Sequence, residues 1–218
     1  MKQGLVFGFC FIAIIIFAYE KMHNSVIGTA LQSNAEDAPP NYQRTLKAKA
    51  LAAKAYCKSK QYNTTIGLLI NYKLHSGLPR FFIWDFVYNK AIDSGLVSHG
   101  CGTNNWGRDD SKTHAIFSNK EESHCSSVGK YLIKERGYSQ WGINIKYNLQ
   151  GLEASNSNAL KRYIVLHSWE AVSNTTTYPS GTPEGWGCPA VSNTFMHQLD
   201  SLLQQQKNKK VLLWAFND

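Results

Sequence analysis

Between two stretches with helical spacing, residues 44–60 and 192–206, the apolar residues of this chain come in short runs bounded by turn residues. The runs at 66–71, 80–88, 130–133, 142–147 and 162–167 are four to nine residues long and rich in β-branched and aromatic side chains, and 211–215 adds one more after the second helical stretch. Runs of that length, punctuated by Gly, Asn and Pro, fit strands and are too short for helices. The expected fold is therefore mainly β, with one helix at the front and one near the end. No internal repeat is present.

Residues 44–60 are rich in Ala, Leu and Lys and lack Gly and Pro, which favours helix. Leu46, Ala50, Ala53 and Cys57 fall on one face, leaving the lysines to solvent. Ser192 or Asn193 is placed to cap the later helix, whose apolar stripe is Phe195, Met196, Leu199, Leu202 and Leu203. Asn89-Lys90 fits the turn of a hairpin joining 80–88 to a second strand over 91–98. The region 102–129 then reads as loop, and a loop that long inside a compact domain is usually functional.

Composition sets the compartment. The chain has 218 residues, 43% hydrophobic and 17% charged, which is globular and long enough for one well-buried domain. Its net charge of +8 suits an anionic partner, but the lysines are scattered and no nucleic-acid motif is present, which argues against nucleic-acid binding. Met1-Lys2-Gln3 carries a positive start, and residues 4–19 form an unbroken apolar run. That run fits a signal-peptide core better than a spanning helix of roughly 20 apolar residues. Glu20 and Lys21 follow it directly, so an uncleaved membrane anchor is the second reading. Either way the remainder is expected to be exported, to the periplasm or cell envelope. The expected organisation is a signal peptide or anchor over 1–25, a polar linker containing Pro39-Pro40 over 26–43, and one domain over 44–218.

The chemistry points to Gly185-Trp186-Gly187-Cys188-Pro189-Ala190. A cysteine sits there in a turn-rich segment, 21 positions after His167, which closes the apolar run 163–166. A cysteine nucleophile needs a base to form the thiolate and backbone N–H groups aimed at the oxyanion it creates. Gly187 permits close backbone approach, and Ser168 is placed to orient the imidazole through its backbone or its side chain. Trp186 would wall the pocket or cover the core. A lone cysteine and a lone histidine would more often be structural. With Cys10 in the targeting segment and Cys188 as nucleophile, Cys57, Cys101 and Cys125 remain, and Cys101 with Cys125 is the favoured disulfide. His99, Cys101, His124 and Cys125 are also zinc-type ligands, but their spacing matches no common zinc motif.

Several further motifs occur in one order: Ser98-His99-Gly100, Ser126-Ser127-Val128-Gly129, Gly151-Leu152-Glu153 with Asn158-Ala159, the Arg162–His167 run, and Trp186-Gly187-Cys188-Pro189-Ala190. Together they resemble the YkuD-type L,D-transpeptidase superfamily, and within it the murein L,D-transpeptidase catalytic domain family, over about residues 45–217. The resemblance implies a β-rich, sandwich-like domain with a few peripheral helices. It implies Cys188 as nucleophile and His167 as base. Ser168 and Gly187 are expected beside them in the catalytic machinery, and Trp186, Ser127 and His99 are expected to contact substrate. It also implies peptidoglycan stem peptides as the partner and no cofactor or metal. The reaction would cleave before a terminal D-alanine and pass the acyl group to an amine, or to water. Three positions depart from the family pattern: Gly185 stands where a serine is widespread, Glu184 where this branch often carries arginine, and Ala190 where the common family has arginine, although this branch tends to have Pro-Ala there too. Papain-like and wall-amidase enzymes place Cys before His, and the sortase Thr-Leu-x-Thr-Cys motif is absent, so those readings fit less well. A non-catalytic wall-binding module on a degenerate form of the same fold is the alternative from another class.

Overall fold

The structure is a computed structural model and describes residues 42–218. The expected targeting segment and all of the expected linker up to residue 41 lie outside the described residues. Among the described residues no helix is long and apolar enough to cross a membrane.

Helix α1 spans Tyr42–Ser59, and its buried face is Leu46, Ala50, Ala53 and Cys57, the face the spacing predicts. Strands follow as β1 (Ile66–Asn71), β2 (Phe81–Asp85), β3 (Lys90–Gly95), β4 (Gly129–Tyr138), β5 (Ile145–Gly151), β6 (Val165–Ser168) and β7 (Ala190–Val191). Helix α2 (Asn193–Gln205) and strand β8 (Leu212–Phe216) complete the chain. Ser192 caps α2, its hydroxyl accepting from the Phe195 N–H at 3.2 Å.

The strands form one eight-stranded mixed sheet in the order β3-β2-β1-β8-β4-β5-β6-β7. β8 enters the middle of the sheet, parallel to β1 and antiparallel to β4. The two outer strands do not remain open edges. Just past β3, Val97 bridges to Val191 of β7, and the Ser98 N–H donates to the Ala190 carbonyl at 2.8 Å. This seam nearly closes the sheet upon itself, which removes the unpaired N–H and C=O rows of an open edge. One core fills the interior, with Leu68, Ile70, Phe81, Leu149, Leu166, Leu213 and the α2 residues Phe195, Met196 and Leu199 among its members.

Two strands begin later than the apolar pattern suggests. β5 starts at Ile145 because Gly142 and Asn144 both take left-handed backbone (φ +59° and +61°) and form a turn. β6 starts at Val165 because Tyr163 is likewise left-handed (φ +54°) and Arg162 lies in the preceding turn. Hairpin β2–β3 turns at Asn89, also left-handed, and its return strand ends at Gly95 rather than 98.

Candidate active site

The segment 184–191 is threaded along the seam. On one side β7 pairs in parallel with β6, placing Ala190 opposite His167 and Val191 opposite Ser168. On the other side it binds residues 98–101: the Gly185 N–H donates to the His99 carbonyl and the Cys101 N–H to the Gly185 carbonyl, both at 2.8 Å. The Ser98 hydroxyl accepts from the Ala190 N–H at 3.2 Å and reaches the Cys188 carbonyl at 3.4 Å. Ser126 holds the turn from a third direction, its hydroxyl donating to the Gly187 carbonyl at 3.0 Å and accepting from the Gly100 N–H at 3.1 Å.

Gly187 is required here on two counts. Its φ is +102°, and an added Cβ would run into the Cys125 carbonyl. The Gly187 and Cys188 N–H groups donate to no protein acceptor among the described residues, so both are available to an oxyanion.

Cys188 and His167 line one cavity of about 280 Å³, together with Ser98, Trp106, Trp141, Trp169, Gly185, Trp186 and Ala190. The His167 Nδ1 lies 2.9 Å from the Ser168 carbonyl oxygen. A carbonyl only accepts, so Nδ1 carries the proton and Nε2 keeps its lone pair. Burial lowers the imidazole pKa, with the Ser168 carbonyl acting the other way, so the ring is neutral at neutral pH. It is Ser168's carbonyl that orients the imidazole. Its hydroxyl is engaged elsewhere, accepting from the Ile143 N–H at 3.0 Å.

The thiol of Cys188 accepts from the Val165 N–H at 3.4 Å and faces the Tyr163 carbonyl at 3.6 Å. No hydrogen bond joins it to His167 among the described residues. Burial raises its pKa, while the Val165 N–H and the charges of Arg162 and Lys146 pull it back. Arg162 was not singled out by sequence reasoning as a site residue, although it opens one of the family motifs. Its guanidinium donates to the Ser118 and Cys125 carbonyls at 2.8 and 2.6 Å and to the Ser127 hydroxyl at 2.7 Å. It thus fixes the loop against which Gly187 packs.

Two of the expected substrate contacts lie elsewhere than in the lining of this cavity. His99 is fully buried, and Ser127 is 3% exposed, with its hydroxyl donating to the Ser118 carbonyl. His99 instead sits inside a buried polar chain. The Arg80 guanidinium, also fully buried, donates to His99 Nδ1 at 2.7 Å. Arginine cannot accept, so His99 Nε2 carries the hydrogen and donates to the Ser111 hydroxyl at 2.8 Å. That hydroxyl in turn donates to Glu184 Oε1 at 2.6 Å. Glu184 also accepts from the Ser111 N–H and from Asn104. Burial alone would raise its carboxyl, but these donors hold it at about 2. The residue standing where the branch often has arginine is therefore anchored on a buried arginine, four positions before Cys188. Trp186, by contrast, lines the cavity and is 63% exposed.

The expected Cys101–Cys125 disulfide is absent: both thiols are free, each turned to a nearby carbonyl, Gly102 and Ser123 respectively. No group of three metal-ligating side chains converges among the described residues.

No curated protein sequence matches the chain. Solved structures similar to it include the helical cell shape determining protein Pgp2 (K307A mutant) from Campylobacter jejuni, at 12% identity and TM-score 0.44, covering 71% of this chain and 47% of that one. Others are an L,D-transpeptidase (residues 123–326) from Xylanimonas cellulosilytica, at 10% and 0.41, covering 74% and 68%, and Bd1075 from Bdellovibrio bacteriovorus, at 13% and 0.40, covering 72% and 49%. The chain spans less than half the length of the Pgp2 and Bd1075 chains. The sequence profile of the L,D-transpeptidase catalytic domain matches residues 40–214, most of the chain. On that match, the chain belongs to the L,D-transpeptidase catalytic domain family.

Proposed function

We propose that this domain is a cysteine acyltransferase acting on peptidoglycan stem peptides at an exported, cell-envelope location. The observation that carries the reading is one cavity lined by Cys188 and by a neutral His167 whose Nε2 lone pair is kept free by the Ser168 carbonyl. In the proposed reaction Nε2 takes the Sγ proton and the thiolate attacks the carbonyl carbon before the terminal D-alanine. The oxyanion accepts from the free N–H groups of the Gly187–Cys188 turn. The imidazolium then returns its proton to the leaving D-alanine amine, the C–N bond breaks, and a thioester on Cys188 remains. An incoming amine displaces the thiol, giving up its proton through His167, and forms the new amide; water in its place gives a carboxypeptidase outcome. No step requires a cofactor. Membrane attachment, where it occurs, would run through residues 4–19.

Intact-mass spectrometry of residues 31–218 with a disaccharide tetrapeptide tests this, beside a Cys188→Ala control and a parallel carbapenem sample. The expected result is a covalent adduct on the wild type alone, with D-alanine released. A dimeric muropeptide marks transpeptidation, and a tripeptide alone marks hydrolysis. Folded protein that gives neither adduct nor D-alanine overturns the reading in favour of a binding module.

A further inference from the structure

Four tryptophans from four separate segments meet at the mouth of the cavity. Trp106 comes from the long loop after β3, Trp141 from the β4–β5 connection, Trp169 from the end of β6, and Trp186 from the turn before Cys188. Trp106 is the hub. Its ring centroid lies 5.1 Å from that of Trp169 (stacked), 6.1 Å from Trp141 and 6.2 Å from Trp186 (both tilted). His124 stacks on Trp186 at 5.4 Å and extends the aromatic surface outward. Trp106 and Trp141 are each 45% exposed and Trp186 63%, a large apolar area to leave in water.

The cluster is tied to the nucleophile segment. The Gly107 N–H donates to the Glu184 carbonyl, and the Glu184 N–H donates to the Arg108 carbonyl. The loop bearing Trp106 is therefore clipped to the strand that leads to Cys188, and the aromatic surface keeps its place relative to the thiol.

Three observations define what this surface suits. The rings pack directly on one another at 29° to 71°, with Trp169 only 8% exposed and packed against Trp106, so they form one faceted aromatic wall rather than a cage with room for an ammonium between faces. The cavity lining contains no Asp, Glu, Lys or Arg, so a charged group would find no partner there. Trp84 Nε1 donates to Asn89, but the indole N–H groups of Trp106, Trp141, Trp169 and Trp186 have no protein acceptor among the described residues. The fitting ligand is uncharged, with a flat C–H face for the indoles and oxygen acceptors around its edge. A pyranose ring has that chemistry: axial hydrogens on one face and hydroxyl or acetamido oxygens at the rim.

We infer that the exposed rings of Trp106, Trp141 and Trp186, backed by the buried Trp169, form a saccharide platform that binds a sugar ring of the glycan beside the stem peptide. Resting on the acyl-transfer reading, this makes the preferred substrate a sugar-bearing stem rather than a free peptide.

The experiment compares kcat/KM for a disaccharide tetrapeptide with that for the same tetrapeptide without sugar, in the wild type and in Trp106→Ala. In parallel, saturation-transfer NMR measures binding of the peptide-free disaccharide to the Cys188→Ala protein. The wild type is expected to favour the sugar-bearing substrate by about tenfold, and Trp106→Ala to lose most of that ratio. The disaccharide is expected to receive saturation from the Cys188→Ala protein. Should Trp106→Ala not fold, Trp186→Ala, whose ring is mostly in solvent, reads the same ratio. Equal kcat/KM for the two substrates, with no saturation transfer to the disaccharide, overturns the platform and leaves acyl transfer standing. Saturation transfer without D-alanine release from either substrate supports the platform and removes the acyl-transfer reading.

Discussion

His167 and Cys188 share a cavity wall with no hydrogen bond between them among the described residues, each held by the backbone of the β6 segment. The imidazole is bound to the Ser168 carbonyl and the thiol to the Val165 N–H. In this resting arrangement both groups are uncharged, because burial raises the thiol pKa and lowers that of the imidazole. A preformed thiolate–imidazolium pair would have shifted them in the opposite directions.

The first prediction concerns thiol reactivity. Alkylation of Cys188 by iodoacetamide in the absence of substrate is expected to climb with pH up to and beyond 9, the usual thiol value. Mass spectrometry of the modified peptide reads the rate at each pH. A plateau between about pH 5 and 8 would mean a stable ion pair and would contradict the neutral resting site.

His167→Gln keeps a polar side chain but has no lone pair of suitable basicity. D-alanine release is expected to fall by about 10²- to 10⁴-fold. Thermal unfolding should change little, since among the described residues the ring's one hydrogen bond is to its neighbour's carbonyl. An activity loss under threefold in a folded variant would remove His167 as the base.

The two glycines flanking Trp186 should behave oppositely. Gly187→Ala forces a side chain into left-handed backbone and into the Cys125 carbonyl, and is expected to cost about 2 kcal/mol or more along with activity. At Gly185 an added Cβ meets only the Ser98 hydroxyl at 4.0 Å. Gly185→Ala and Gly185→Ser, the latter restoring the serine common in the family, are therefore expected to stay within about 0.5 kcal/mol of the wild type. Denaturant melts of the three variants decide this.

Glu184→Gln leaves the buried Arg80 without its anion at the end of the His99–Ser111 chain. A loss of about 3 kcal/mol is expected, read as a fall in Tm of roughly 10 °C. The pH dependence carries the sign. The folded carboxyl at about 2 lies below its ordinary 4.5, so its stabilisation is complete above 4.5 and is lost as the pH falls toward 2. The variant's stability curve should be flatter across that window. An unchanged acid limb would show that Glu184 is not ionised in the folded protein.

The helices, the positions of most strands and the turn-rich segment around Cys188 were legible because each rests on local pattern: helical spacing, short β-branched runs, and a cysteine between glycine and proline. The histidine could be paired with Cys188 only through the family motifs, since the 20 intervening residues carry no periodic signal. What stayed hidden depends on distant segments meeting. His99 reads as a polar loop residue, yet Arg80 and Glu184 bury it from both sides. The tryptophans at 106, 141 and 169 look unrelated in sequence and touch only when the sheet closes. The late start of β5 came from a left-handed turn at Gly142 and Asn144, types that favour it but stand inside an alternating apolar run, and that of β6 from Tyr163, a type that gives no warning.

The seam between residues 97–98 and β7 has a bearing on biogenesis. Its two sides are about ninety positions apart in the chain, and the Cys188 segment is held between residues 97–101 and β6. Contacts of such long range carry a large loop-closure cost and slow folding. A chain whose seam has not formed therefore lacks the ordered surround of Cys188, and on the acyl-transfer reading its reactivity is withheld until the sheet has closed.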